Sequence, residues 1–216
     1  MTWTPSAFSE RSRWIAGTLL VVGVIVALYP LEAAAQVFAR AEVGAGLAQT
    51  SSSEVDTRAT GPALSGEVSL GYELAEHLHA GISTFIDRTL DAERRTSDVS
   101  ESDTSLTFYG AGLNGQWSRA DGWWFGGGAY LIRQRARSDG GSLVLVALED
   151  SGTEFLSPVD ESGWGGAIAL KGGRDWPIGE SVWAGFVVRA LYGQFDSNAA
   201  RWSPVAGTLS VSVTYR

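Results

Sequence analysis

Cysteine is absent from all 216 residues, so the chain has neither a disulfide framework nor a thiol for a lipid anchor. Histidine occurs only twice, at His77 and His79, beside Glu73 and Glu76. Alternate strand residues point the same way, so the pair could meet a metal, but no further ligand cluster accompanies it. No metal or other cofactor is therefore expected. Ser83 and His79 share a strand face about 13 Å apart by strand rise, too far for a nucleophile and its base. With no nucleophile motif elsewhere, the chain reads as non-enzymatic. No basic cluster offsets the formal charge of −8, which argues against a nucleic-acid partner. A second apolar run of membrane-helix length is also missing.

The one long apolar run lies at the start. Arg11 and Arg13 precede Trp14 to Tyr29, and Pro30 and Ala33-Ala34-Ala35 follow. At about 16 residues the run is short of the roughly 20 that a helix needs to cross a bilayer. Residues 1–35 thus read as a cleaved signal peptide and 36–216 as one exported domain. Glu10 and Glu32 balance the two Arg, so the acidic charge stays with the mature chain.

Eight segments with period-two alternation follow, near 37–48, 63–73, 78–87, 105–117, 123–135, 163–172, 181–193 and 205–215. In the last, Val205, Gly207, Leu209, Val211, Val213 and Tyr215 oppose Ala206, Thr208, Ser210, Ser212 and Thr214. The fifth is ambiguous: Trp123, Phe125 and Leu131 lie on one face, Trp124, Tyr130 and Ile132 on the other. Three connections are tight, around 75–76, 118–122 and 174–180. Four are long and polar, at 49–62, 88–104, 136–162 and 194–204. The apolar stretch 143–148 in the third long loop reads as an extracellular hairpin, or as an extra strand pair that would make ten. Short periplasmic turns alternating with long outer loops are the pattern of a transmembrane β-barrel.

Alternation alone does not say which face is inside. The non-apolar faces are mostly Gly, Ser and Ala, with isolated charges at Arg40, Glu42, Glu67, Lys171 and Arg189. Glycine, at 27 of 216, is well above the usual ~7%. Small residues and a few charges suit the cramped interior of eight strands, not a water-exposed face. Those five charges are then expected in the lumen, paired either as a permanent plug or as a gate. Aromatic residues fall at both strand ends. Tyr72, Trp117, Trp176 and Tyr215 lie by the short turns, with one of Trp123 and Trp124. Tyr109, Tyr130, Trp164 and Tyr192 lie by the long loops. Two such belts mark two membrane interfaces. Arg133, Arg135 and Arg137 form a basic stripe at the loop end, placed either to pair with the acidic third loop or to meet lipopolysaccharide phosphates.

In this pattern the chain resembles the small outer-membrane β-barrels of Gram-negative bacteria, the group of the OmpA transmembrane domain, OmpX and the opacity proteins. Segment 207–215 resembles that group's C-terminal assembly signal, with Arg216 as a departure after the terminal aromatic Tyr215. The resemblance implies an all-β, eight-stranded, antiparallel up-and-down barrel in the outer membrane, monomeric and inserted by the assembly machinery through its last strand. It implies a structural or surface-adhesion role. A narrow porin-like channel and a soluble periplasmic barrel binding a hydrophobic ligand are the alternatives.

Overall fold

The computed structural model describes residues 37–54, 56–90, 92–96, 99–138, 159–161, 164–197 and 200–216. The expected signal segment 1–35 and the stretch 143–148 lie outside them. Among the described residues ten strands form one sheet: β1 (Val37–Ser52), β2 (Thr57–Ala75), β3 (Leu78–Thr89), β4 (Ala92–Thr96), β5 (Val99–Ser118), β6 (Trp123–Ser138), β7 (Val159–Glu161), β8 (Gly165–Pro177), β9 (Val182–Ser197) and β10 (Ala200–Tyr215). Eight of them close a ring in the order β1-β2-β3-β5-β6-β8-β9-β10, and β10 returns to β1 with Tyr215 opposite Ala39. Every neighbour pair is antiparallel. β4 pairs with β2 and β5, taking up the lane that β3 leaves, and β7 pairs with the far end of β6.

Three tight turns close one end, at 76–77, 119–122 and 178–181, the third shorter than the expected 174–180 because β8 runs on to Pro177. Gly122 has φ +88°, and a Cβ there would lie 2.3 Å from the Asp175 carbonyl oxygen. Only glycine fits that position. The far end departs from expectation. Residues 49–52, 57–62, 88–89, 92–96, 99–104, 194–197 and 200–204 are strand, not loop. Strands of 16 to 20 residues, as in β1, β2, β5, β6, β9 and β10, exceed the 9–11 that cross a bilayer. The surplus therefore projects beyond the membrane at the end away from the tight turns.

The faces fall as a lipid-embedded barrel requires. Val43, Leu47, Ile82, Leu113, Leu131, Ile168, Leu209 and Val211 point outward, while Ser69, Ser83, Ser210, Ser212 and Thr214 are buried inside. The fifth segment (β6) resolves in the same sense, with Trp123, Phe125 and Leu131 outside and Trp124, Tyr130 and Ile132 inside. Glycine makes room for the inner side chains: at Gly110 a Cβ would meet Phe85 Cε1 at 2.5 Å.

In the projecting part the alternation keeps its period and exchanges its meaning. Arg58, Arg88, Arg133, Arg135, Gln194, Asp196 and Arg201 now face outward. Ala59, Leu106, Phe108 and Phe195 pack inside, continuing an apolar core that begins lower down with Ala63, Phe85, Ile132 and Leu191. Polar segments thus remain ordered as strands because they bury apolar surface in the lumen and wet their charged face. Ile132→Val in this core is expected to cost about 0.5–1.5 kcal/mol. The check is a lower urea midpoint with an unchanged slope.

Candidate functional site

All five charges expected in the lumen are there, and they form two groups. The lower group, towards the tight turns, centres on Asp175 of β8. Arg40 of β1 approaches it at 2.5 Å and Arg216 at 3.0 Å. Arg40 also donates from Nε to Thr214 Oγ1 at 2.9 Å and from Nη1 to Gln116 Oε1 at 2.8 Å. Its guanidinium lies 4.0 Å from the ring centre of the buried Trp124. Ser212 donates to the other Asp175 oxygen at 3.5 Å.

The middle group centres on Glu67 of β2. Lys171 of β8 contacts Glu67 Oε1, and Arg189 of β9 reaches Oε2 at 3.2 Å. Tyr130 and Ser69 each donate to Oε1 at 3.4 Å. Arg189 turns its other terminal nitrogen to Asp87 of β3 and to Ser65 Oγ at 3.0 Å. Lys171 lies 3.6 Å from Glu42 as well. Among the described residues four cations, including Arg216, meet four carboxylates, so these groups balance in formal charge. Unpaired, such buried charges would cost several kcal/mol each.

The geometry of these pairs decides what the lumen can pass. Arg40–Asp175 joins β1 to β8, Lys171–Glu67 joins β8 to β2, and Arg189–Asp87 joins β9 to β3. None of these strand pairs is adjacent in the ring. The side chains therefore bridge across the interior instead of lying along the wall. Phe85, opposite Glu67, lies under the Arg189 guanidinium at 5.1 Å, and the apolar core continues from it towards the far end.

No family model matches the chain, and no curated protein matches it. Among solved structures, Neisserial surface protein A is similar, with 17% identity over 83% of this chain and 96% of that one, and a TM-score of 0.55. AlkL, solved in lipid bilayers, matches at 12% identity over 84% and 90%, with a TM-score of 0.42. Ail of Yersinia pestis matches at 11% over 82% and 99%, with 0.40. The fold assignment follows from the first of these and from the apolar outer face. The fold is that of the small outer-membrane β-barrels.

In an outer-membrane barrel the tight turns are periplasmic and the projecting strands extracellular. Trp117, Trp123, Trp176, Tyr72 and Tyr215 are exposed at the periplasmic end, and Trp164, Tyr192 and the half-exposed Tyr109 lie towards the outer end, as the two belts require. Tyr130 is a correction: it is buried in the lumen and belongs to the Glu67 group. Arg133 and Arg135 continue the outward face of Leu131 above the apolar band, opposite Tyr109 and Thr107 of β5, and Arg137 follows two residues further along β6.

His77 sits in the first turn with φ +73°, 3.6 Å from Glu76, whereas His79 is buried edge-on against Phe38 at 5.3 Å. They do not form a pair. Ser83 donates to Tyr130 Oη at 3.1 Å instead of facing a base.

Sequence reasoning missed Asp87, Tyr130, Asp175 and Arg216 as lumen groups. Asp175 falls in the expected 174–180 turn because the clear alternation of the sixth segment (β8) stops at residue 172. Its parity with Lys171 and Gly173 carried the signal. Arg216, the departure after Tyr215, extends the pairing with β9 by donating its backbone N–H to the Ser181 carbonyl at 3.0 Å, while its side chain binds Asp175.

Proposed function

We propose that the protein is a non-enzymatic, monomeric outer-membrane barrel with a closed lumen, acting as an envelope component that offers its extracellular rim for surface interaction or adhesion. The observation that carries this reading is the set of ion pairs between non-adjacent strands, capped by an apolar core. Among the described residues they cross the interior at two levels, which supports a lumen closed to hydrated ions. The outward apolar band disfavours the soluble ligand-binding alternative.

The rim supports the interaction role. Its described residues are strands, and a cleft of about 650 Å³ opens among Tyr130, Trp164, Ile168, Tyr192, Phe195 and Arg201. The outward Arg58, Arg88, Arg133 and Arg135 stand just above the apolar band, at the level where lipopolysaccharide phosphates would lie. The pairing of β10 with β1 is consistent with assembly through the last strand.

Purified protein reconstituted in planar bilayers is expected to give no stable conductance steps. Reproducible, ion-selective steps would replace this reading with the narrow-channel one.

A further inference from the structure

Between the two ionic groups lies a cavity of about 10 Å³, lined in part by Arg40, Glu42, Asn114, Gln116, Trp124 and Lys171. That is about the size one water molecule needs. Four of these residues carry a buried polar atom with no protein partner: Glu42 Oε1, Asn114 Oδ1, Gln116 Nε2 and Trp124 Nε1. Glu42, Gln116 and Trp124 are all more than nine-tenths buried. The orientation of the Gln116 amide follows from Arg40, which donates to its oxygen at 2.8 Å and leaves the Nε2 donors for other partners. Buried polar groups left unbonded are costly, and four around one cavity call for a common partner.

We propose that this cavity is a specific binding site for a single water molecule. Two of the four atoms accept (Glu42 Oε1 and Asn114 Oδ1) and two donate (Gln116 Nε2 and Trp124 Nε1). Water matches that set, since it gives two hydrogen bonds and takes two. A metal cation would face two N–H donors with Lys171 and Arg40 beside them. An anion would face the Glu42 carboxylate. The water links Gln116, which is held by Arg40, to Glu42, which is held by Lys171, and so ties the two ionic groups into one network. This goes beyond the closed-scaffold reading, because the site holds whether or not the barrel conducts.

The test uses isotope-labelled full-length barrel refolded in detergent micelles. The Trp124 indole N–H should show a cross-relaxation peak to water with the sign of a long-lived, bound molecule. In Asn114→Leu, which removes one acceptor and fills the space, that peak should disappear while the heat-dependent gel shift of the folded barrel remains. An absent peak in the wild type, or one unchanged in Asn114→Leu, would overturn the site. Should Asn114→Leu not fold, a high-resolution crystal structure of the wild type decides. One density peak within about 2.7–3.2 Å of all four atoms supports the proposal. An empty cavity, or direct bonds among the four side chains, refutes it.

Discussion

Replacing Arg189 with methionine is expected to destabilise the folded barrel by about 3–5 kcal/mol, the usual cost of breaking a buried ion pair from one side. Arg189 holds both Glu67 and Asp87, and its side chain is 2% exposed. Glu67 would keep Lys171, Tyr130 and Ser69. Asp87, which is fully buried, would lose its cation. The penalty should therefore come mainly from Asp87. Asp87→Leu combined with Arg189→Met is expected to recover most of the loss, because removing both partners of a buried pair is often neutral. Urea unfolding in detergent, followed by heat-dependent gel mobility, reads both variants. A single substitution near wild-type stability would mean that water enters the lumen and screens the charge. The same result would weaken the closed-lumen reading.

That experiment also bears on what the sequence could reveal. The faces within the membrane were legible because lipid outside and packed small residues inside impose one polarity on each alternating strand. Arg40, Glu42, Glu67, Lys171 and Arg189 were found by that parity alone. Their partners were harder, since pairing runs across the ring and depends on shear, which one strand's pattern does not contain. The extracellular ends were misread for a different reason. Segments such as Thr57–Pro62 and Gln194–Ser197 look like polar loops in composition, yet Ala59 and Phe195 still alternate with Arg58 and Asp196. Outside the bilayer the solvent is water on the outer face, so the polarity inverts while the period persists. A search for alternation of either sense would have extended the strands. Arg216 shares the parity of Ser212 and Thr214 and so continues the inward face, but a single residue after the terminal aromatic Tyr215 did not read as part of the strand.

Leu170→Arg tests the other physical premise, that the apolar outer face meets hydrocarbon. Leu170 is 72% exposed on β8, midway between Trp164 and Trp176 at the two aromatic belts, which puts it near the bilayer midplane. In a lipid bilayer an arginine there should cost about 2–4 kcal/mol, falling to about 0–1 near either interface. In water, a substitution at so exposed a position would stay within about 0.5 kcal/mol. The two environments thus differ by several-fold in expected effect at the same residue. Reversible unfolding of the barrel in phospholipid vesicles measures it, with Gln194→Arg on β9 as a companion on the charged extracellular face. A large loss at Leu170 and little at Gln194 would follow from the depth of each residue in the membrane. Equal, small effects at both would instead require that the outer face be solvated, and the barrel would have to be a soluble one with its apolar side exposed. That arrangement would leave Val43, Leu113, Leu170, Leu209 and Val211 in water on a contiguous wall, an exposed apolar area far larger than soluble monomers carry.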